Sequence, residues 1–176
     1  MSRLSLVAID DMQPAQREQY DRFPSNLTRG LLLLEQGLAG TLPSSANALR
    51  SCGLDAKVRE GIILRVAALS DCAFERMQHL GEAGKAGWTP TEIAAIEGQE
   101  PFDSLGAFAA VLGFVDACVA SPRVPDDIFA AARTMLSDRD LATVIVLIGH
   151  YMTVARFVET LGIELDPAPS DWTTEH

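Results

Sequence analysis

The sequence predicts an all-α fold of about seven to nine helices, on three observations. Apolar residues make up 48% of the 176-residue chain and charged residues 22%, yet only 6% are aromatic, an Ala- and Leu-rich balance that suits packed helices more than sheets. Apolar positions recur at intervals of three and four in several stretches, the period of one helix face. These stretches open on Pro, Ser, Thr or Asp and close on Gly, the residues that satisfy the unpaired backbone groups at helix ends.

Residues 1–9, MSRLSLVAI, are mildly apolar and read as an arm laid on the core or on a neighbouring subunit. Asp10 and Pro14 mark a helix entry whose helix runs to Pro24. Asn26 or Thr28 starts the next, an inward-packing helix with Leu31, Leu34 and Leu38 on one face, ended by Gly40 and Pro43. A short helix over 44–50 closes at Gly53, and Asp55 caps the helix that carries Glu60 and a broad apolar face of Ile62, Ile63, Val66, Ala67 and Leu69. Another runs from Cys72 to about Ala86 and stops at Gly87. Thr89, Pro90 and Glu92 form a capping box ahead of TEIAAIE, which Gly98 ends.

Leu105, Phe108, Val111, Leu112 and Val115 stripe residues 104–120, with Cys118 as core. Asp126 or Asp127 opens a short connecting helix. Ser137 and Asp140 resemble a second capping box before LATVIVLIGHYMTVARFVETLG, the longest helix, ended by Gly162. Apolar residues circle most of it, which implies burial on several sides, within the bundle or between subunits. Its β-branched run Val144, Ile145, Val146 lies inside a long helical context and is not read as a strand. One domain over 1–165 follows, with a Pro-rich polar tail, 166–176, that is flexible or contacts a partner and ends in a solvent-facing His176.

The chemistry concentrates in EGIILRVAALSDCAFERMQH, residues 60–79. Cys72, Glu75 and His79 are spaced by three and four, so they share one helix face. Glu60 lies twelve residues before Cys72, roughly 18 Å away on one straight helix at about 1.5 Å per residue. It joins the others only if the helix breaks, and Ser70 and Asp71, both better caps than helix interior, supply the break. Cys72 in a first turn is then a candidate nucleophile, because a helix N-terminus favours thiolate. His79 is a candidate proton carrier oriented by Glu60 or Glu75. Arg65 falls five residues after Glu60, off the i,i+4 position, which leaves Glu60 for another task. His150 and Tyr151 interrupt the longest helix as buried polar members or possible pocket groups.

A formal net charge of −10 argues against nucleic acid and anionic membranes, whose binding rests on Lys and Arg. Cys52, Cys72 and Cys118 are odd in number and widely spread, unlike a disulfide framework or zinc cluster. No signal segment and no apolar run of membrane length is read, so the expected location is cytoplasmic. Glu75 and His79 lack an evident third ligand, and neither metal nor cofactor is expected.

The stretch REGIILRVAALSDCAFERMQHLGEAGKAGWTPTEIAAI resembles the core repeat of the carboxymuconolactone decarboxylase and alkylhydroperoxidase D (AhpD) superfamily, which carries Glu, then Cys-x-x-Cys, then His. LSDRDLATVIVLIGHYMTVARFVETLGIELD is similar to its C-terminal helix, so the likeness runs from about residue 12 to 166. The resemblance implies an AhpD-like helical bundle assembled as trimers or hexamers. It carries the family Glu to Glu60, the first Cys to Cys72 and the His to His79. Glu75 replaces the second cysteine, so the disulfide cycle of the peroxidases cannot close here, and Met152 stands where the family often has Asn.

The function expected is carboxymuconolactone decarboxylase-like proton transfer, without cofactor, on a small carboxylated or lactone substrate, with Glu60, Glu75 and His79 moving protons and Cys72 shaping or assisting the pocket. An AhpD-like one-cysteine peroxidase is the alternative, opposed by the Glu75 charge one turn from the sulfur. A non-catalytic oligomeric binding protein is the third.

Overall fold

In the computed structural model, which describes residues 2–170, every regular element is helical: ten α-helices, one of them a single four-residue turn, and two 3-10 turns among the described residues. Pro14 and the reciprocal Gln13 and Gln16 bonds start α1 (Pro14–Arg22), so the entry expected at Asp10 lies slightly later and Asp10 sits in the 3-10 turn Ile9–Asp11. The single helix expected after Asn26 is two, α2 (Asn26–Leu31), capped by Ser25, and the one-turn α3 (Gln36–Ala39). The chain leaves the helix after Leu32, which turns Leu38 outward, 56% exposed, rather than into the core. Pro43 does not end a helix; it sits in the first turn of α4 (Thr41–Ser51), where its missing N–H costs nothing.

Helix α5 (Ala56–Leu69) is capped as expected, the Asp55 side chain accepting from the Val58 amide. Ile62, Ile63, Leu64 and Val66 are almost fully buried, each such side chain contributing about 1.5–3 kcal/mol on removal from water. An apolar surface on all sides is the mark of a central helix, and α5 packs on α6 (Ala73–Lys85), α7 (Pro90–Ile96), α8 (Phe108–Ala120) and α10 (Asp138–Leu161). Arg65 fixes it sideways, with a two-pronged pair to Asp116 of α8 at 2.7 and 2.8 Å and a bond to the Ile96 carbonyl at the end of α7. The short α9 (Asp126–Ala132) covers α8.

Thr89 and Glu92 make the expected capping box on α7, and Ser137 caps α10 by accepting from the Asp140 amide. Gly162 ends α10 at φ +60°, the left-handed conformation that glycine adopts without steric cost. By length and composition α10 is apolar enough to cross a membrane, and half of that stretch is buried inside this fold. The N-terminal arm lies on the C-terminal end of α10, where the Arg3 amide bonds the Leu161 carbonyl. The first residues of the tail are tied down too: Asp166 accepts from the Asn26 amide, and Ser170 donates to Gln78. The remainder of that tail, including His176, lies outside the described residues.

Gly61, beside Glu60, has no room for a side chain, since a Cβ there would meet Phe108 at 2.8 Å and Trp88 at 3.0 Å. Overpacking of this kind costs about 1–3 kcal/mol or more, above the small helix-propensity gain. Gly61→Val is therefore expected to lower the midpoint of thermal unfolding by roughly 5 °C or more, measured by circular dichroism.

Candidate active site

The site depends on a tight corner. Ser70 ends α5, Asp71 takes φ +48°, and Cys72 is the N-cap of α6. Asp is among the few residues that accept the left-handed region, so the break falls where Ser70 and Asp71 placed it. Neither acts as a side-chain cap; Asp71 turns the backbone instead. Helix α6 then folds back along α5 and brings residues nineteen apart in sequence into contact: Glu60 Oε2 lies 2.8 Å from His79 Nδ1. On the other edge of the ring, His79 Nε2 is 3.6 Å from Glu75 Oε2, one turn earlier on α6. Arg59 Nε donates to the free oxygen of Glu60 at 3.0 Å. Tyr151 of α10 meets the imidazole edge-on at 5.1 Å between centroids, and His150 meets Tyr151 at 5.0 Å.

All three of these acid and base groups are buried, yet their charges differ. Burial would raise the Glu60 carboxyl, but the hydrogen bond and charge of His79, helped by Arg59, outweigh it and hold the group below the ordinary carboxylate range. Glu60 is therefore anionic and accepts a hydrogen bond from His79 Nδ1–H, which leaves Nε2 on the Glu75 side of the ring. Glu75 has no such close partner. Burial is the main cause that lifts its carboxyl to about 7, with the Glu60 charge adding to it and His79 opposing. A carboxyl that holds its proton up to about 7 and an imidazole nitrogen thus stand side by side. Burial and the His79 charge lower His150 to about 4, keeping it neutral, and burial and the two carboxylates hold the Tyr151 proton on.

Cys72 is not part of this group. Its side chain is 2% exposed and packs with Leu27, Leu31, Phe74, Val154 and Val158 in a separate apolar cluster. The Glu75 amide does favour the thiolate, as expected at a helix N-terminus, but burial dominates, and with Glu75 and Glu159 pushes the thiol up to about 12. The expectation of an activated thiol is therefore corrected by desolvation. Cys52 and Cys118 are free and half-buried.

A cavity of about 420 Å³ opens between α1, α2, α4, α6 and α10. Glu75, Gln78, His79, His150 and Tyr151 line its polar wall, while Leu27, Leu31, Phe74 and Val154 supply apolar surface. A smaller cavity of about 170 Å³ reaches the other side of the pair, lined by Glu60, Arg59, Arg50 and Glu82. Ala46, Arg50, His79 and Tyr151 border both. Cys72 lines neither. Among the described residues no group of three His, Cys, Asp or Glu is arranged to hold a metal ion.

Glu60, Glu75, His79, His150 and Tyr151 are thus brought together as one constellation. Gln78 was not singled out from the sequence, although its spacing from Glu75 puts it on the same helix face. Arg50 and the wall from α1, α2 and α4 carry no sequence pattern that points to the site.

Residues 41–121 match the carboxymuconolactone decarboxylase family, a segment that holds Glu60, Cys72, Glu75 and His79. A search of curated proteins finds no significant match. Among solved structures, a protein of unknown function from Agrobacterium tumefaciens, provisionally named an antioxidant defence protein AhpD, is 26% identical with a TM-score of 0.64, over 71% of this chain and 88% of its own. An uncharacterized peroxidase-related protein with an alkylhydroperoxidase AhpD core, from Ralstonia eutropha JMP134, aligns with a TM-score of 0.75 at 18% identity, over 94% of this chain and 93% of its own. An uncharacterized peroxidase-related protein from Silicibacter sp. TM1040 does so with a TM-score of 0.73 at 14%, over 94% and 92%.

Two outcomes follow from the buried groups. Between pH about 4.5 and about 7 the folded chain keeps a proton on Glu75 that the unfolded chain has released, so stability falls as pH rises through that window and the full cost stands above it. Glu75→Gln removes the cost, and at pH 8 it is expected to unfold at higher denaturant than the parent by about 1–3 kcal/mol, with little difference at pH 4. For Cys72, a thiol pushed up to about 12 has about a thousandth of the thiolate of an ordinary one at pH 8. Alkylation of the native protein by iodoacetamide, followed by peptide mass spectrometry, should modify Cys52 well before Cys72.

Proposed function

We propose an enzyme of proton transfer, from a chain whose residues 41–121 match the carboxymuconolactone decarboxylase family and whose fold is AhpD-like. It acts without a cofactor on a small carboxylated or lactone substrate. One observation carries this reading: the cavity wall presents His79 and Glu75 together, one nitrogen able to take a proton and one carboxyl able to give it, while Cys72 is absent from that wall.

In the proposed reaction a carbon next to a carbonyl loses either a proton, to His79 Nε2, or carbon dioxide. In both cases the electron pair of the broken bond passes into the carbonyl as an enolate. Collapse of the enolate takes a proton onto carbon from the Glu75 carboxyl. Glu60 stays anionic beneath the ring and stabilises the imidazolium that forms. Isomerisation returns the ring to its starting state when its proton passes to Glu75; decarboxylation draws one proton from solvent for each carbon dioxide released.

The peroxidase reading has the names of the structural relatives in its favour. Against it stand the high pKa and burial of the only thiol in the motif. We also propose a homo-oligomer: Ile145 and Val146 on the outer face of α10 are 50% and 57% exposed, apolar area that a second subunit would cover.

The discriminating assay is turnover of γ-lactone carboxylic acids, followed by loss of carbon dioxide or by deuterium uptake from D2O. His79→Gln and Glu75→Gln are expected to lower kcat/KM by about 10²–10⁴-fold, while Cys72→Ser stays within a few-fold of the parent. Activity should fall as pH rises above about 7, when Glu75 loses its proton. Loss of all turnover in Cys72→Ser, with a sulfenic acid on Cys72 after brief peroxide exposure, would sink the proposal. Light scattering should give a multiple of the 18.9 kDa chain mass, and Val146→Glu should reduce it to the monomer.

A further inference from the structure

Gln78 is placed on α6 beside His79 and one turn from Glu75, is 2% exposed, and lines the larger cavity with both. The two ends of its amide are in different situations. Oε1 accepts a hydrogen bond from the Ser170 backbone amide at 2.9 Å. Nε2 is fully buried and has no hydrogen-bond partner among the described residues. Orphaned donors of this kind are rare in folded proteins, because burial strips them of water without replacement.

The Ser170 bond also settles which way the amide faces. A backbone N–H can only donate, so the group opposite it must be the oxygen, and turning the amide round would set donor against donor. Ser170 itself is anchored, its hydroxyl bonding the Pro24 carbonyl at 3.4 Å, and Asp166 just before it holds the Asn26 amide. Held this way, the amide turns its N–H groups away from the tail, on a side chain that lines the larger cavity. An acceptor in that cavity would lie beside Glu75 and His79, which line it too.

We propose that Gln78 Nε2 binds the carbonyl oxygen of the substrate, the atom on which charge develops when the neighbouring carbon is deprotonated or decarboxylated, and that Ser170 is its positioning residue. The proposal rests on the proton-transfer reading above. A neutral amide suits this place: it stabilises an enolate oxygen without adding a full charge beside His79, and a preset donor needs no reorganisation as the charge appears. Substrates with a carbonyl are then preferred to plain carboxylic acids of the same length.

Levulinate, a carboxylate with a ketone, and pentanoate, the same chain without it, test this as a pair by ligand-observed NMR. The parent protein is expected to bind levulinate about five- to tenfold more tightly than pentanoate, the scale of one neutral hydrogen bond. Gln78→Met, close in length but without donors, should equalise the two, and Gln78→Glu, with acceptors only, should do the same. Ser170→Pro, which removes the amide hydrogen, should shrink the preference, whereas Ser170→Ala should keep it. A general loosening of the fold would weaken both probes alike and leave their ratio unchanged. No preference in the parent, or an undiminished one in Gln78→Met, overturns the role of Gln78; an undiminished one in Ser170→Pro overturns that of Ser170. Deuterium uptake into levulinate, recorded in the same samples, separates this from the underlying reading: a carbonyl preference without uptake retains the Gln78 assignment and removes the proton-transfer reaction.

Discussion

The fold-back at Ser70, Asp71 and Cys72 is the constraint on which the rest of the molecule depends. A continuous helix through these residues would separate Glu60 from His79 by most of its length. With Asp71 in the left-handed region, the acid in the first half of α5 and the imidazole midway along α6 come level, and a 2.8 Å bond joins them. The corner holds because α5 is fixed on its other sides, by the Arg65 pair with Asp116 and by Phe108 and Trp88 pressed against Gly61. Packing thus sets the distance, and the distance sets the charges.

Burial acts on three groups of one helical hairpin with three results. Glu60 keeps its charge because His79 and Arg59 compensate for lost water. Glu75 lacks that compensation and keeps its proton up to about 7. Cys72, in apolar surroundings next to carboxylates, keeps its proton further still. Between the two carboxyls the difference is compensation: Glu60 has hydrogen bonds from His79 and Arg59 that offset burial, and Glu75 does not.

Much of this was legible in the sequence, and the exceptions have physical causes. Helix ends were readable at Asp55, Thr89, Ser137 and Gly162 because caps are local chemistry. The freedom of Glu60 followed from the spacing to Arg65, which turns to Asp116 instead. The division of the second helix was hidden, since the run from Leu31 to Leu34 is uniformly apolar and carries no breaker. The state of Cys72 is not legible because a helix N-terminus is visible in sequence and the depth of an apolar cluster is not. Neither core nor pocket alone describes His150 and Tyr151, which are buried and still line the cavity. Gln78 had the right spacing, but only the tail of the chain, ninety-two residues on, reveals how its amide faces.

Ala46, Arg50, His79 and Tyr151 border both cavities, so the two spaces adjoin at the imidazole. The larger cavity is lined by Glu75 and the smaller one by Glu60, Arg59 and Glu82. The imidazole thus lies between two acids, one bordering each cavity, so a molecule in the larger cavity meets the side of the ring that Glu60 does not occupy.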